Sequence, residues 1–78
     1  MTEKKESWGA LMKKERQSIG MTIYEAARRL NLDWVKLDKM ERGLYRVRPE
    51  VLVMALAEYQ ASIFTRERAY RWAKQQQK

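Results

Sequence analysis

Cysteine and histidine are both absent from this 78-residue chain. Without cysteine, neither a disulfide nor a thiolate zinc site can staple a small fold. Without histidine, the usual general base and the commonest metal ligand are missing as well. No convergent set of nucleophile, base and oxyanion donors is visible, so the chain is not expected to be an enzyme, to have catalytic residues, or to carry a metal or other cofactor. Apolar runs are short: none approaches the roughly 18–20 residues that span a bilayer, so no membrane segment is expected. Residues 1–7 are charged and polar with no apolar stretch behind them, which predicts a frayed tail and not a secretory signal. A reduced, cytoplasmic setting is the expectation. Alternating strand patterns, internal repeats and low-complexity linkers are also missing.

Positive charge is abundant. Seventeen Lys and Arg oppose ten Asp and Glu, a formal net charge of +7. A field of that sign on so small a domain attracts polyanions through counterion release, with nucleic acid first among them. The excess is concentrated. Residues 28–48 hold seven basic side chains (Arg28, Arg29, Lys36, Lys39, Arg42, Arg46, Arg48) against Asp33, Asp38 and Glu41, and the last nineteen residues hold five against one.

The apolar residues recur at helical spacing. Trp8, Leu11, Met12 and Ile19 mark the inner stripe of a first helix, which Gly20 ends by taking a positive φ. Thr22, with Glu25 three residues on, has the pattern of a capping box opening a second helix. Ala26, Ala27 and Leu30 are its buried side, and Asn31 is its terminator. Asp33 caps a third helix, with Val35 or Leu37 facing inward together with Met40, while Lys36 and Lys39 face out. Gly43 closes that helix. A loop over residues 44–48 leads to Pro49, which suits the first turn of a fourth helix. The nearly continuous apolar run at residues 51–59 reads as the central buried helix. Thr65 is the candidate cap of a last segment, residues 66–76, whose large apolar groups are Tyr70 and Trp72. This is an all-α chain: a compact bundle of about five short helices, with the second and third joined by the tight turn of a helix-turn-helix.

At these positions the chain resembles the lambda-repressor-like helix-turn-helix family, the XRE group of bacterial and phage regulators. The resemblance covers residues 11–59 and rests on Leu11, Arg16, Gly20, Thr22, Ala27, Leu30, Asn31, Leu32, Leu37, Met40, Glu41, Arg42 and Gly43. Ala27 is small enough for the second and third helices to cross closely, and Leu32 plugs the turn between them. Leu37 and Met40 anchor the third helix. In the family, the residue matching Arg16 pairs with the acid matching Glu41 and ties the first helix to the third.

What the resemblance implies is a recognition helix over residues 33–42 lying in the major groove of double-stranded DNA. Trp34, Val35, Lys36, Asp38 and Lys39 are then the expected base contacts, with Lys36 or Lys39 donating to guanine O6/N7 and Asp38 accepting from cytosine N4. Thr22, Arg42, Tyr45, Arg46 and Arg48 are the expected phosphate contacts that set register. Three positions depart from the family pattern. Ile23 stands where Gln commonly clamps a phosphate, Asp33 where Ser or Thr is usual, and Trp34 is large for a first-turn position. It is open to a DNA, partner or local packing role.

By this reading residues 1–7 are a tail, residues 8–62 the DNA-binding domain, and residues 63–78 a C-terminal helical segment. Ile63, Phe64, Tyr70 and Trp72 on that segment form either a two-fold contact in a homodimer or a lid folded back near Trp8 and Met12. The leading expectation is a sequence-specific transcriptional regulator, a repressor binding a pseudo-palindromic operator as a dimer. The alternative is a protein-binding module of the antitoxin or anti-activator kind, which turns the same face toward an acidic second protein.

Overall fold

The order of elements is α1 (Trp8–Ser18), α2 (Ile23–Arg29), α3 (Trp34–Glu41), α4 (Pro49–Glu58) and α5 (Ile63–Gln76), in a computed structural model that describes residues 7–76. Every regular element among those residues is helical, as the periodicity predicts. Residues 1–6 of the expected tail lie outside the described residues, and Ser7 is already the N-cap of α1.

Each helix start is chemically explicable. Side-chain oxygens of Ser7, Thr22, Asp33 and Ser62 accept from the backbone N–H of Ala10, Glu25, Val35 and Thr65 at 3.0–3.2 Å. Such caps satisfy first-turn donors that have no partner within their own helix. The start of α4 lacks a side-chain cap, but Pro49 in its first turn has no N–H to satisfy. The ends follow the expected logic too. Gly20, Asn31 and Gly43 have φ of 70°, 57° and 82°, and Gln60 plays the same part after α4 at 59°. These left-handed residues reverse the chain within a few bonds, which keeps the connections short.

Three local expectations need correction, and one open alternative is resolved. Ile19 is 43% exposed and not part of the inner stripe: α1 ends at Ser18, so Ile19 leaves the helix before its phase counts. Of Val35 and Leu37, only Leu37 is buried, while Val35 is 40% exposed. Thr65 is not the last cap. Ser62 takes that role, so α5 begins at Ile63 and includes Phe64. Only half of the capping box at Thr22 is made, because the Glu25 carboxylate accepts from Arg29 at 3.2 Å.

One core unites all five helices. α4 runs through its centre, with Leu52, Ala55, Leu56 and Tyr59 wholly inaccessible, although Met54 on its outer side is half exposed. α5 packs on α4, and Ala69 joins the same core. Small residues set the spacing. Ala26, Ala27, Ala55 and Ala69 are buried where helices meet. Gly9 is more constrained still, because a Cβ there would fall onto the Met40 carbonyl oxygen. α1 therefore crosses the end of α3 with backbone nearly touching backbone.

Across the same α1–α3 contact runs a buried ion pair. Arg16 donates from Nε and Nη2 to the two carboxylate oxygens of Glu41, both at 2.9 Å, and from Nη1 to the Met21 carbonyl at 2.8 Å. The two side chains are only 9% and 2% exposed. The hydrogen bonds from Arg16 to Glu41 raise the guanidinium pKa further, so Arg16 keeps its charge in the interior. Beside this pair lies the Tyr59 hydroxyl, buried and without a hydrogen-bond partner among the described residues. Burial disfavours the phenolate and pushes its pKa up to about 12.

Two outcomes are expected from this interior. Arg16→Ala leaves the buried Glu41 side chain without its partner, and lowers unfolding free energy by about 3–5 kcal/mol, read by chemical denaturation. A loss below 1 kcal/mol would show that the pair is open to water. Tyr59→Phe removes an unsatisfied hydroxyl and stabilises the fold by about 1 kcal/mol near neutral pH. The folded chain keeps a phenol proton that the unfolded chain gives up near pH 10. The parent's stability is thus unaffected by this group's titration below about pH 10 and falls as pH rises from there toward 12, and melting at stepped pH should show the phenylalanine variant free of that loss.

Candidate nucleic-acid interface

The inner side of α3 is fully committed: Leu37 and Met40 to the core and Glu41 to Arg16. At 100° per residue, the opposite side is a stripe of Val35, Asp38, Lys39 and Arg42, with Trp34 and Lys36 flanking it. Val35, Lys36, Trp34 and Arg42 are exposed, and Asp38 and Lys39 half-buried. All five expected base-contact residues therefore reach the surface of one short helix. Its fixed inner side leaves them little freedom to reorient as a group.

The expected phosphate contacts are spread more widely. Arg42 is the C-cap of α3, and Tyr45, Arg46 and Arg48 continue along the loop to α4, all exposed. Thr22 stands at the start of α2, its oxygen occupied by the Glu25 N–H while its own O–H remains able to donate.

Most of these cations have partners. Arg42 meets Asp38 at 3.3 Å one helical turn away, and Arg48 meets Glu50 at 3.6 Å. The Arg46 guanidinium donates to Gln76 at 3.2 Å, and the Lys39 ammonium lies 5.3 Å from the centroid of the Tyr45 ring. These are exposed or half-exposed pairs, each worth at most about 1 kcal/mol. A phosphate can displace them. Lys36 and Lys39 have no ion-pair or hydrogen-bond partner among the described residues, and Lys36 also lacks the ring contact that Lys39 makes.

Asp38 is less available as a base acceptor than the sequence suggests, because Arg42 already neutralises it. Trp34 is held locally and is exposed at the same time: its ring lies edge-on to Tyr24 of α2, centroids 5.1 Å apart, and remains 44% exposed. Tyr24 itself is 59% exposed and was not singled out from the sequence. Its position on the second turn-forming helix, opposite the first turn of α3, was the available signal. The two aromatic rings bridge α2 and α3 on the same outer edge.

The C-terminal group divides. Trp72 is half-buried against Trp8, ring centroids 5.4 Å apart, which is the lid arrangement, whereas Ile63, Phe64 and Tyr70 are 63%, 77% and 56% exposed. Among the described residues no cluster of acidic side chains is placed to hold a metal ion, and no helix is long and apolar enough to cross a membrane. No protein-family model, curated protein or solved structure gives a significant match to the chain.

The Tyr24–Trp34 contact is testable without any ligand. Because both rings stay open to solvent, their coupling should sit at the lower end for aromatic pairs, about 0.5 kcal/mol. A double-mutant cycle of Tyr24→Ala and Trp34→Ala by denaturation measures it. Strict additivity would mean that the two rings do not hold each other.

Proposed function

We infer that the chain is a sequence-specific DNA-binding transcriptional regulator of the helix-turn-helix kind, and a repressor acting as a dimer on a pseudo-palindromic site. In this reading α2 spans the backbone and α3 enters the major groove, with Trp34, Val35, Lys36, Asp38 and Lys39 toward base edges. Arg42, Tyr45, Arg46, Arg48 and Thr22 grip phosphates on either side, and a cytoplasmic location follows from that role. One observation carries the reading. The outer side of α3 and the loop behind it concentrate Lys36, Lys39, Arg42, Arg46 and Arg48 on an exposed strip whose inner side is locked to the core. Lys36 needs no partner removed before it binds. The exposed Ile63, Phe64 and Tyr70 on α5 supply an apolar patch for the second protomer, whose α3 would then reach the next major groove about 34 Å away.

A second reading is favoured by the Tyr24–Trp34 pair, since two adjoining exposed aromatic rings beside cations also suit an acidic protein partner. Salt separates the two. Binding to duplex DNA should weaken steeply with ionic strength, with a log–log slope of magnitude about 4–8 for a dimer. Selection from a randomised duplex pool should return a two-fold-related site. Lys36→Ala is expected to relax preference at one position of each half-site. Arg46→Ala should weaken all sequences alike and lower the slope by about 1 per protomer. A flat salt dependence, or no enriched site, would remove the DNA reading and leave the acidic partner.

A further inference from the structure

Behind the loop that follows α3 lies a cleft of about 210 Å³. Its walls are Trp8 of α1, Trp72 of α5, Met40 of α3, and Tyr45, Arg46 and Val47 of the loop. A cavity of about 150 Å³ takes a benzene ring, so this one has room for one ring system and a small substituent. The two tryptophan rings meet at 39°, tilted and not stacked, and each is only half-buried. Aromatic surface in the cleft therefore remains open to water, where a planar apolar body gains by covering it.

Charge decides what kind of body. No carboxylate lines the cleft among the described residues. Arg46 does, and its recorded hydrogen bond goes to the neutral amide oxygen of Gln76 at 3.2 Å. Near the rim the Arg68 guanidinium lies 5.7 Å from the centroid of the Trp8 ring. A cationic ligand is disfavoured in such a field, and a neutral one leaves the Arg46 fork unused. A carboxylate can take two parallel N–H bonds from it. We propose that the cleft between α1, α5 and residues 43–47 is a binding site for a small planar aromatic carboxylate, its ring against the open surface of Trp8 and Trp72 and its anion on Arg46. Tyr45 and Arg46 are also expected phosphate contacts. The occupied cleft thus competes with DNA for Arg46, a coupling that rests on the DNA-binding reading and is reciprocal by linkage.

Titration of the full chain with naphthoate, and separately with its uncharged amide, tests this through the three tryptophan indole N–H resonances in NMR. Trp8 and Trp72 should shift while Trp34, on the far edge of α3, stays still. Naphthoate should bind about 5-fold more tightly than the amide, the most that an exposed charge pair supports. Arg46→Met should erase that preference and leave amide binding unchanged. Equal shifts at all three tryptophans, equal affinity for the two probes, or no shift at millimolar concentration would each overturn the site. A duplex-DNA titration with saturating naphthoate adds the coupling arm: DNA affinity should fall for the parent and be insensitive in Arg46→Met. Unchanged DNA affinity in the parent would overturn the coupling while the site stands. A parent that binds no DNA would fail the regulator reading alone.

Discussion

Everything on the outer surface depends on the crossing of α1 and the end of α3. Two constraints meet there. Gly9 lets the two backbones approach to a distance that any side chain would prevent, and the Arg16–Glu41 fork then fills the rest of the crossing with hydrogen bonds. The third donor of Arg16, to the Met21 carbonyl, draws in the turn between α1 and α2. A single side chain therefore ties two helices and the entry to a third. Taking both charges out of water is costly, and a well-packed apolar pair of similar volume can be as stable. What an apolar pair lacks is the two-pronged geometry, which accepts one rotation of α3 and few others.

That rotation decides which residues α3 shows to solvent. With Leu37, Met40 and Glu41 turned inward, Val35, Asp38, Lys39 and Arg42 have to face out. The helix is short and would be marginal alone. Its shape comes from the core behind it and the Asp33 cap in front. For the proposed contact with DNA this matters because groove readout asks several side chains to be right at once. Weak surface ion pairs on the same strip serve a related purpose. They hold Arg42 and Arg48 in place at little cost, and in the proposed contact a phosphate would exchange for their carboxylates.

Much of this was legible in residue order. Cap residues and left-handed terminators have short-range causes, so Gly20, Thr22, Asn31, Asp33, Gly43 and Pro49 were readable from their neighbours alone. Where the pattern misled, the competing cause was equally local. Ser62 outcompeted Thr65 for the last cap because it stands three residues before a free N–H, and Arg29 took the Glu25 carboxylate that a capping box would have used. Gly9 carried no visible signal. A glycine inside a helical stripe looks like a weak helix former until the partner backbone is seen. The Tyr24–Trp34 contact and the Arg46–Gln76 bond were hidden for the same reason, since each joins residues whose helices must first be placed.

Sequence alone settled the composition of the molecule: helices only, the caps at Thr22 and Asp33, the terminators at Gly20, Asn31 and Gly43, much of the inner stripe of the first four helices, and the crowding of basic residues between positions 28 and 48. Those properties follow from spacing over three or four residues and from counting charge. Tertiary structure decided which cations are paired and which are not, and that α5 shares the core through Ala69. It also sent Trp72 inward to Trp8 while leaving Ile63, Phe64 and Tyr70 outside. An amphipathic helix announces that it has an apolar side, but the width and partner of that side depend on how close the neighbouring helix comes. In this chain that closeness is set by Gly9 and a run of alanines, whose effect exists only once two backbones meet.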